Sequence, residues 1–589
     1  MQRFSNAVEI PPGTLATEPA GDHENESGRA TDQIGNRLKQ ELAWATMGAT
    51  LLAAAMTWST VRHPIRTIPQ DIYDPTLQAW QIAWDGHALT HQLLSLWNTN
   101  AIFPERLTLA FSDSLLGYAP FGLIGSGPAA AVLRYNVLFV LSFVLATLGC
   151  YVLMRQLGAT PAAAVVAAVA FAYSPWRFVH AGHLNILSSG GIPLALAMLA
   201  RGHGWSLRGG YSGRKVQPRW AFAGWLIAGW QISLGFGLGV PFAYVLAGAV
   251  LATVIGWLRA GRPALPARLL GTDLAGGGIF LGISAVMMYP YLRVLAAHPD
   301  ARRSVADLDL FSPPLRGFFI AGEHSWLWGS VQQTSRASLA VSGEMAVLPG
   351  FAIMFLAGLG LIVSAWSRRT RAVLAAGVIT TTWMAMGTAA PGHGRYGYLL
   401  LYRFLPGFDG SRTPGRLVLW AILLLCVLAA GTLTALAPHR ARFPRLVALA
   451  LTVSVLAVVA EGINRTPHPE VPTTPIALSS LEAPVLVLPT DELADQHVML
   501  WSTDGFPTIV NGSSGYNPSS RDALRTAMQA FPDRHSVSML RALGVKTVIV
   551  LPEAGGTPYE SALGKTGARF GIQRSDVNGT AVFTVSPSR

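Results

Sequence analysis

Arg416-Leu-Val-Leu-Trp-Ala-Ile-Leu-Leu-Leu-Cys426-Val-Leu-Ala-Ala-Gly-Thr-Leu-Thr-Ala-Leu-Ala437 carries no charged side chain after its first residue. A helix needs about 20 consecutive, mainly apolar residues to cross the hydrocarbon core of a bilayer, and this run supplies them. Comparable runs lie at residues 42–60, 132–154, 160–174, 186–200, 220–237, 239–258, 269–289, 345–366, 372–390 and 446–462. The sequence therefore predicts an α-helical polytopic membrane protein with about 11 transmembrane helices. The apolar stretch Ser114–Pro128 is short and interrupted by Gly and Pro, which reads as interfacial or re-entrant rather than spanning.

Composition points the same way. Of 589 residues, 51% are hydrophobic and 13% charged, against about 25% charged in ordinary soluble proteins, so a soluble enzyme is excluded. The two cysteines, Cys150 and Cys426, both fall inside apolar runs, which argues against a disulfide framework and against a zinc cluster. The net charge of +12 reads as basic residues retained on cytoplasmic loops and not as a nucleic-acid partner.

Placement of those basic residues predicts the topology. Four short connections hold Arg201, Arg208, Arg214, Lys215 and Arg219; Arg259, Arg262 and Arg268; Arg368, Arg369 and Arg371; and Arg440, Arg442 and Arg445. With the N-terminus in the cytoplasm and eleven spans, all four face inward across the plasma membrane. Loops 61–131, 175–186, 290–344 and 391–415 then face outward, as does everything after residue 462. Residues 1–40 are polar and read as a disordered cytoplasmic tail, leaving 41–462 as the multi-pass domain. Residues 463–589 read as a small extracytoplasmic α/β domain. Its strands are expected at Ala483–Leu488, Val545–Leu551 and Ala581–Val585, and its helices at Ser520–Ala530 and His535–Leu543.

The outward loops hold the chemistry. The first reads Ile68-Pro-Gln-Asp71-Ile-Tyr-Asp74-Pro-Thr-Leu-Gln-Ala-Trp-Gln-Ile-Ala-Trp-Asp85-Gly-His87. Carboxylates so close to an apolar span are costly unless used, as a general base or a metal ligand. Asp74 before Pro75 is equally a standard helix start, with Asp as cap and Pro at the first position; Asp71 and Asp85 have no such role. Arg177, His180 and His183 lie at the mouth between two spans, and Arg412 and Arg416 flank a later one. Arginine suits phosphate through its planar, bidentate donors, although an arginine at a helix end is as readily an interfacial anchor. The three-residue spacing of His180 and His183 permits a shared divalent metal, but no nearby Glu or Cys completes a site. Glu344, at the lip of a span, either pairs with an arginine or is solvated. Walker, nucleophile-elbow and H-E-x-x-H patterns are absent, which removes support for nucleotide, serine or zinc hydrolysis.

The string Asp74–Leu89, with Asn100-Ala-Ile-Phe-Pro-Glu105, Phe111-Ser-Asp-Ser-Leu-Leu-Gly117, Phe171–His183 and Ser411-Arg-Thr-Pro-Gly-Arg416, resembles bacterial polytopic glycosyltransferases of the GT-C class, related to protein mannosyltransferases and lipid A aminoarabinose transferases. Trp501-Ser-Thr, Ile509–Gly515 and Leu540–Ile549 extend the resemblance over most of the chain after residue 65. It implies a GT-C-like fold, a polyprenyl-phosphate sugar donor, membrane-lipid surroundings, and hexosyl or pentosyl transfer to an extracytoplasmic glycan, lipid or protein acceptor. A first-loop Asp would be the base. Asp74 stands at the family's Gly-Asp-Pro position, with Tyr73 where the family has Gly, so Asp71 and Asp74 both remain candidates. Asp85, His87, Arg177, His180, His183, Arg412 and Arg416 are the expected substrate contacts. The rival readings are a transporter or flippase for a lipid-linked substrate, and a membrane-anchored binding or assembly protein.

Overall fold

The computed structural model describes residues 22–262, 264 and 266–586, with side chains from Leu38 onward. Residues 1–21 of the expected disordered tail lie outside this range; residues 22–40 are helical, the start of a helix at Asp22–Met56. Once the apolar part of that helix is formed, each residue added to it gains a hydrogen bond without a new nucleus, and the helix runs back into the polar stretch. The chain divides into a unit ending at Gly48 and a second unit that contains everything from Ala49.

Among the described residues, seven helical segments are long and apolar enough to cross a membrane: Gly127–Leu157, Pro161–Val179, Leu184–Gly202, Phe236–Arg259, Ala267–Ala297, Pro414–Arg440 and Pro444–Gly462. The protein is a multi-pass membrane protein. Helices also occupy the remaining apolar runs, at Asp22–Met56, Pro218–Ile232, Phe351–Ile362 and Arg368–Ala385. The stretch from Ser114 to Pro128 carries two short helical turns, Leu116–Tyr118 and Ala119–Gly122, before the long helix begins.

The first loop is built around the helix Asp74–His91, whose flank from Pro75 to Gly86 is buried throughout. It crosses the turn Ala119–Gly122 backbone to backbone: a Cβ on Gly86 would stand 2.1 Å from the Gly122 carbonyl carbon, and one on Gly122 would stand 2.1 Å from the Ile82 oxygen. Neither contact can yield by a side-chain rotation. Gly86→Ala should therefore cost about 3 kcal/mol, the upper range for overpacking, seen as a lowered thermal midpoint of the detergent-solubilised chain. A midpoint equal to wild type would show that the two segments can part.

Residues 463–586 contain a four-stranded sheet ordered Val485–Leu488, Thr547–Val550, Thr580–Val585, Ile572–Val577. The first pair is parallel and the other two antiparallel. Sequence patterning marked three of these strands and the helices Ser519–Met528 and Arg534–Leu543; it did not mark Ile572–Val577 or the helix Ala494–Trp501. Both central strands, Val-Leu-Val-Leu and Thr-Val-Ile-Val, are buried at every position, as uninterrupted apolar strands require. Alternate residues serve different cores. Leu486, Leu488, Val548 and Val550 pack under the two sheet helices, whereas Val485, Val487 and Ile549 join Trp80, Trp84, Leu109 and Phe111 of the first loop. The sheet and the first loop thus share one core, and the region after residue 462 is not a separate body.

Candidate active site

The first loop reaches its carboxylates along a path fixed by the segment after the last span. Ile68 and Gln70 donate their backbone N–H to the carbonyls of Pro469 and Pro467, at 3.2 and 2.8 Å. Gln70 then adopts a left-handed backbone, φ 76°, a conformation held by its surroundings when the residue is not glycine. Its Oε1 accepts from Gly182 N at 2.8 Å, and Gln78 Oε1 accepts from Leu184 N at 2.7 Å. These two amides moor the turn His180–His183 against the loop.

The result is one cluster. His183 Nε2 donates to Asp74 Oδ2 at 3.0 Å, with 44% of the Asp74 side chain open to solvent. Asp71 lies beside Gly182 and accepts from Tyr73 N at 2.9 Å. His180 packs edge-on against His183, ring centroids 5.5 Å apart, and stands 3.9 Å from Glu344 Oε2. Glu344 Oε1 accepts from Arg416 at 2.8 Å. Buried atoms with no hydrogen-bond partner among the described residues gather here: Nε of Arg416, both ring nitrogens of His180, Nδ1 of His183 and Oδ1 of Asn185. Such groups are rare inside proteins, and together they offer hydrogen-bonding capacity to a bound polar molecule.

The capping reading of Asp74 does not hold. The amides of Thr76 and Leu77 bond to the Tyr73 carbonyl at 2.9 and 3.1 Å, and the carboxylate turns to His183. The two first-loop carboxylates also differ electrostatically. Burial alone would raise Asp74, but the His183 hydrogen bond and the charges of His183 and Arg416 bring it below the ordinary carboxylate range. Burial raises Asp71, with the charge of Asp74 adding to it. Of the pair, Asp74 is the one whose surroundings favour the carboxylate.

Glu344 shows the same balance: burial would raise it, yet Arg416, His180 and His183 lower it to about 2. His180 is lowered by burial to about 3 from an ordinary 6.5, and is neutral at physiological pH. The unfolded chain binds that proton below pH 6.5 and the folded chain does not, so folding stability falls as pH drops from 6.5 toward 3. The thermal midpoint should slope downward over that window in wild type and more gently in His180→Phe; parallel slopes would contradict it.

The other expected contacts are not brought to this cluster. Arg177 is 1% exposed and donates inward, to Ser189 Oγ at 2.5 Å and Leu187 O at 2.6 Å, while its guanidinium lies over Phe143 and Phe171. It braces the helix ends, with its Nε left without a hydrogen-bond partner among the described residues. Asp85 is fully buried, its two oxygens without a hydrogen-bond partner among the described residues, and burial pushes its carboxyl well above the ordinary value. His87 lies about 20 Å farther along the helix from Asp74, stacked between Phe506 and His91. Arg412 is exposed and lies over the Phe311 ring, 4.8 Å away.

Several residues of the site were not singled out from sequence. Asp113 accepts from Asn185 Nδ2 at 2.7 Å and from Phe236 N at 2.7 Å, tying the first loop to the start of the helix Phe236–Arg259. A Cβ on Gly235 would lie 2.5 Å from the Asp113 carboxyl carbon, so only glycine lets that approach occur. From the far end of the chain, His497 Nε2 donates to Ile72 O at 2.7 Å and its ring stacks on Tyr73. The neighbouring Gln496 adds a hydrogen bond that lowers Asp74. Asp113 stood within the Ser-Asp-Ser of the first loop as an available signal; Gln496 and His497 had none. Among the described residues no three His, Cys, Asp or Glu side chains are grouped to hold a metal ion, and no metal is assigned to the site.

No family model matches the sequence. No curated protein matches it either. Solved structures do. The mycobacterial arabinofuranosyltransferase AftD superposes with a TM-score of 0.52 at 16% identity, over 93% of this chain and 42% of that one. The oligosaccharyltransferase AglB of Archaeoglobus fulgidus, in complex with an inhibitory peptide and a dolichol-phosphate, gives 0.42 at 15% identity, covering 92% of this chain and 74% of that one. ArnT from Cupriavidus metallidurans bound to undecaprenyl phosphate gives 0.37 at 15%, covering 93% and 98%. These neighbours are GT-C glycosyltransferases, and the first of them carries the conclusion that the chain has that fold. The chain spans less than half the length of the arabinofuranosyltransferase it matches.

Proposed function

We propose that the protein is a membrane glycosyltransferase that moves a hexosyl or pentosyl group from a polyprenyl-phosphate donor to an acceptor outside the cytoplasm. The observation that carries this reading is one cluster that holds a half-exposed Asp74, its carboxylate lowered in part by the Arg416 charge, and a largely buried Arg416 whose Nε has no hydrogen-bond partner among the described residues. An acceptor hydroxyl is deprotonated by Asp74 as its oxygen forms the new bond to the anomeric carbon. The anomeric carbon–oxygen bond to phosphate breaks, and the charge left on polyprenyl phosphate is met by Arg416 with His183 beside it. Glu344 orients Arg416, and Asp71 shapes the turn that presents Asp74. In this reading the eleven helical runs all span, the N-terminus is cytoplasmic, and the first loop and the region after residue 462 lie outside.

The charged residues at span ends support transfer over transport. Asp273 accepts from Trp225 and pairs with His203 at 3.0 Å, and Glu461 accepts from the amides of Phe351 and Ala352. Both are occupied in helix packing and do not form a path of ionisable groups through the bilayer. The test is a mass-spectrometric comparison of envelope lipids and glycans from wild type and a strain lacking the protein. A polyprenyl-phosphate sugar should accumulate in the deletion strain with a matching sugar missing from the envelope; identical profiles would sink the proposal.

A further inference from the structure

A cavity lies on the segment 319–345, and none of the residues of the Asp74–Arg416 cluster lines it. It encloses about 570 Å³ and is lined by Glu323, His324, Trp326, Gln333, Arg336 and Arg465 among others, a volume within the range of ligand pockets. Its framework is closed by hydrogen bonds. The segment pairs with the chain just after the last span, Arg465 N donating to His324 O at 2.7 Å and Trp326 N to Ile463 O at 3.0 Å. Buried Arg336 clamps the turn by donating to Ala321 O at 3.2 Å and Gly329 O at 2.5 Å, and Gln332 bridges Ala321 N and Phe319 O. Gly329 permits the fold-back, since a Cβ there would stand 2.2 Å from Glu323 O.

Within this frame Trp326 stays 47% exposed. An exposed indole in a fixed polar pocket offers an apolar face ringed by hydrogen-bonding groups. The ring mixes acceptors and donors: the Glu323 carboxylate paired to His324 at 3.1 Å, the Gln333 amide, the Arg465 guanidinium and the Ser330 and Ser342 hydroxyls. Arg336 is already bonded to the turn, and Glu323 offsets Arg465, so the pocket does not present the cationic surplus that a phosphate selects. A neutral molecule with hydroxyls on its edge and C–H groups on its face satisfies both features. The cavity also connects to the cleft through the chain: Ser342 lines it, and Glu344, two residues on, holds Arg416.

We infer that this groove binds a saccharide, the glycan acceptor, with a sugar ring stacked on Trp326; the inference rests on the glycosyltransferase reading and narrows its acceptor class. The experiment is saturation-transfer NMR on the full chain in lipid nanodiscs, with linear oligosaccharides of glucose, galactose, mannose and arabinose as probes. At least one probe should receive saturation on its ring C–H protons. Its affinity should fall about tenfold in Trp326→Ala, as expected for a lost stacking platform, and measurably in Gln333→Ala, an exposed position. Absence of a response from all four probes overturns the inference, as does binding unchanged in both groove variants. Failure of the wider reading looks different: a saccharide binds at Trp326, yet Asp74→Asn leaves envelope glycans intact.

Discussion

Asp74→Asn is expected to lower glycosyl transfer by about 10²- to 10⁴-fold, the contribution typical of a positioned general base, while the protein inserts and melts as wild type does. The substitution keeps the shape of the side chain and removes its capacity to take a proton. Asp74 is the right residue to lose because His183, at 3.0 Å, and the Arg416 charge hold its carboxylate ionised, whereas burial raises Asp71. Asp71→Asn should cost roughly one order of magnitude less, because it retains an oxygen for Tyr73 N and only loosens the turn. Membrane-fraction assays with labelled lipid-linked sugars would report both. Equal losses from the two variants would mean that the pair acts as a unit, and a fully active Asp74→Asn would remove the proposed base.

The largest effect on stability is expected at Asp495, in the region after residue 462. This carboxylate is 0% exposed and accepts from Thr490 at 2.8 Å, Asn511 at 2.7 Å, Arg521 at 3.0 Å and Arg525 at 3.1 Å. Asp495→Ala strands two buried or nearly buried guanidiniums, a change that costs about 3–5 kcal/mol where one partner of a buried pair is removed. The helix Ala494–Trp501 that carries it also carries Gln496 and His497 to the Asp74 loop. Asp495→Ala should therefore expose amides of the sheet to hydrogen exchange and reduce transfer together, whereas Asp495→Asn should lose less of each. Exchange within the range of neutral surface changes, about 0.5 kcal/mol, would show that the network is dispensable.

The helices of the apolar runs were legible because runs of that length have few alternative readings; each of the eleven contains a helix, and seven helical segments among the described residues are long and apolar enough to cross a membrane. Strands such as Thr547–Val550 were legible for a related reason, a short apolar run between turn residues. Loop chemistry was harder. His183 and Asp74 did come together, but Arg177 and Arg416, each an arginine beside aromatics at a helix end, diverged: one is folded inward onto Leu187 and Ser189, the other paired with Glu344. Which way such a side chain turns is decided by neighbouring helices. Asp85 is enclosed instead of displayed because it lies about three turns into a helix that is buried on almost every side. His497 and Gln496 left no trace in local pattern, since their partners lie at the opposite end of the chain.

The central claim is that this cleft releases polyprenyl phosphate from a sugar donor through Asp74. It is tested most directly by incubating the purified chain in nanodiscs with polyprenyl-phosphate hexoses and pentoses, plus membrane extract as acceptor, and measuring free polyprenyl phosphate. The account predicts release from at least one donor by wild type and essentially none by Asp74→Asn. Release from no donor, or equal release by the two proteins, would contradict it.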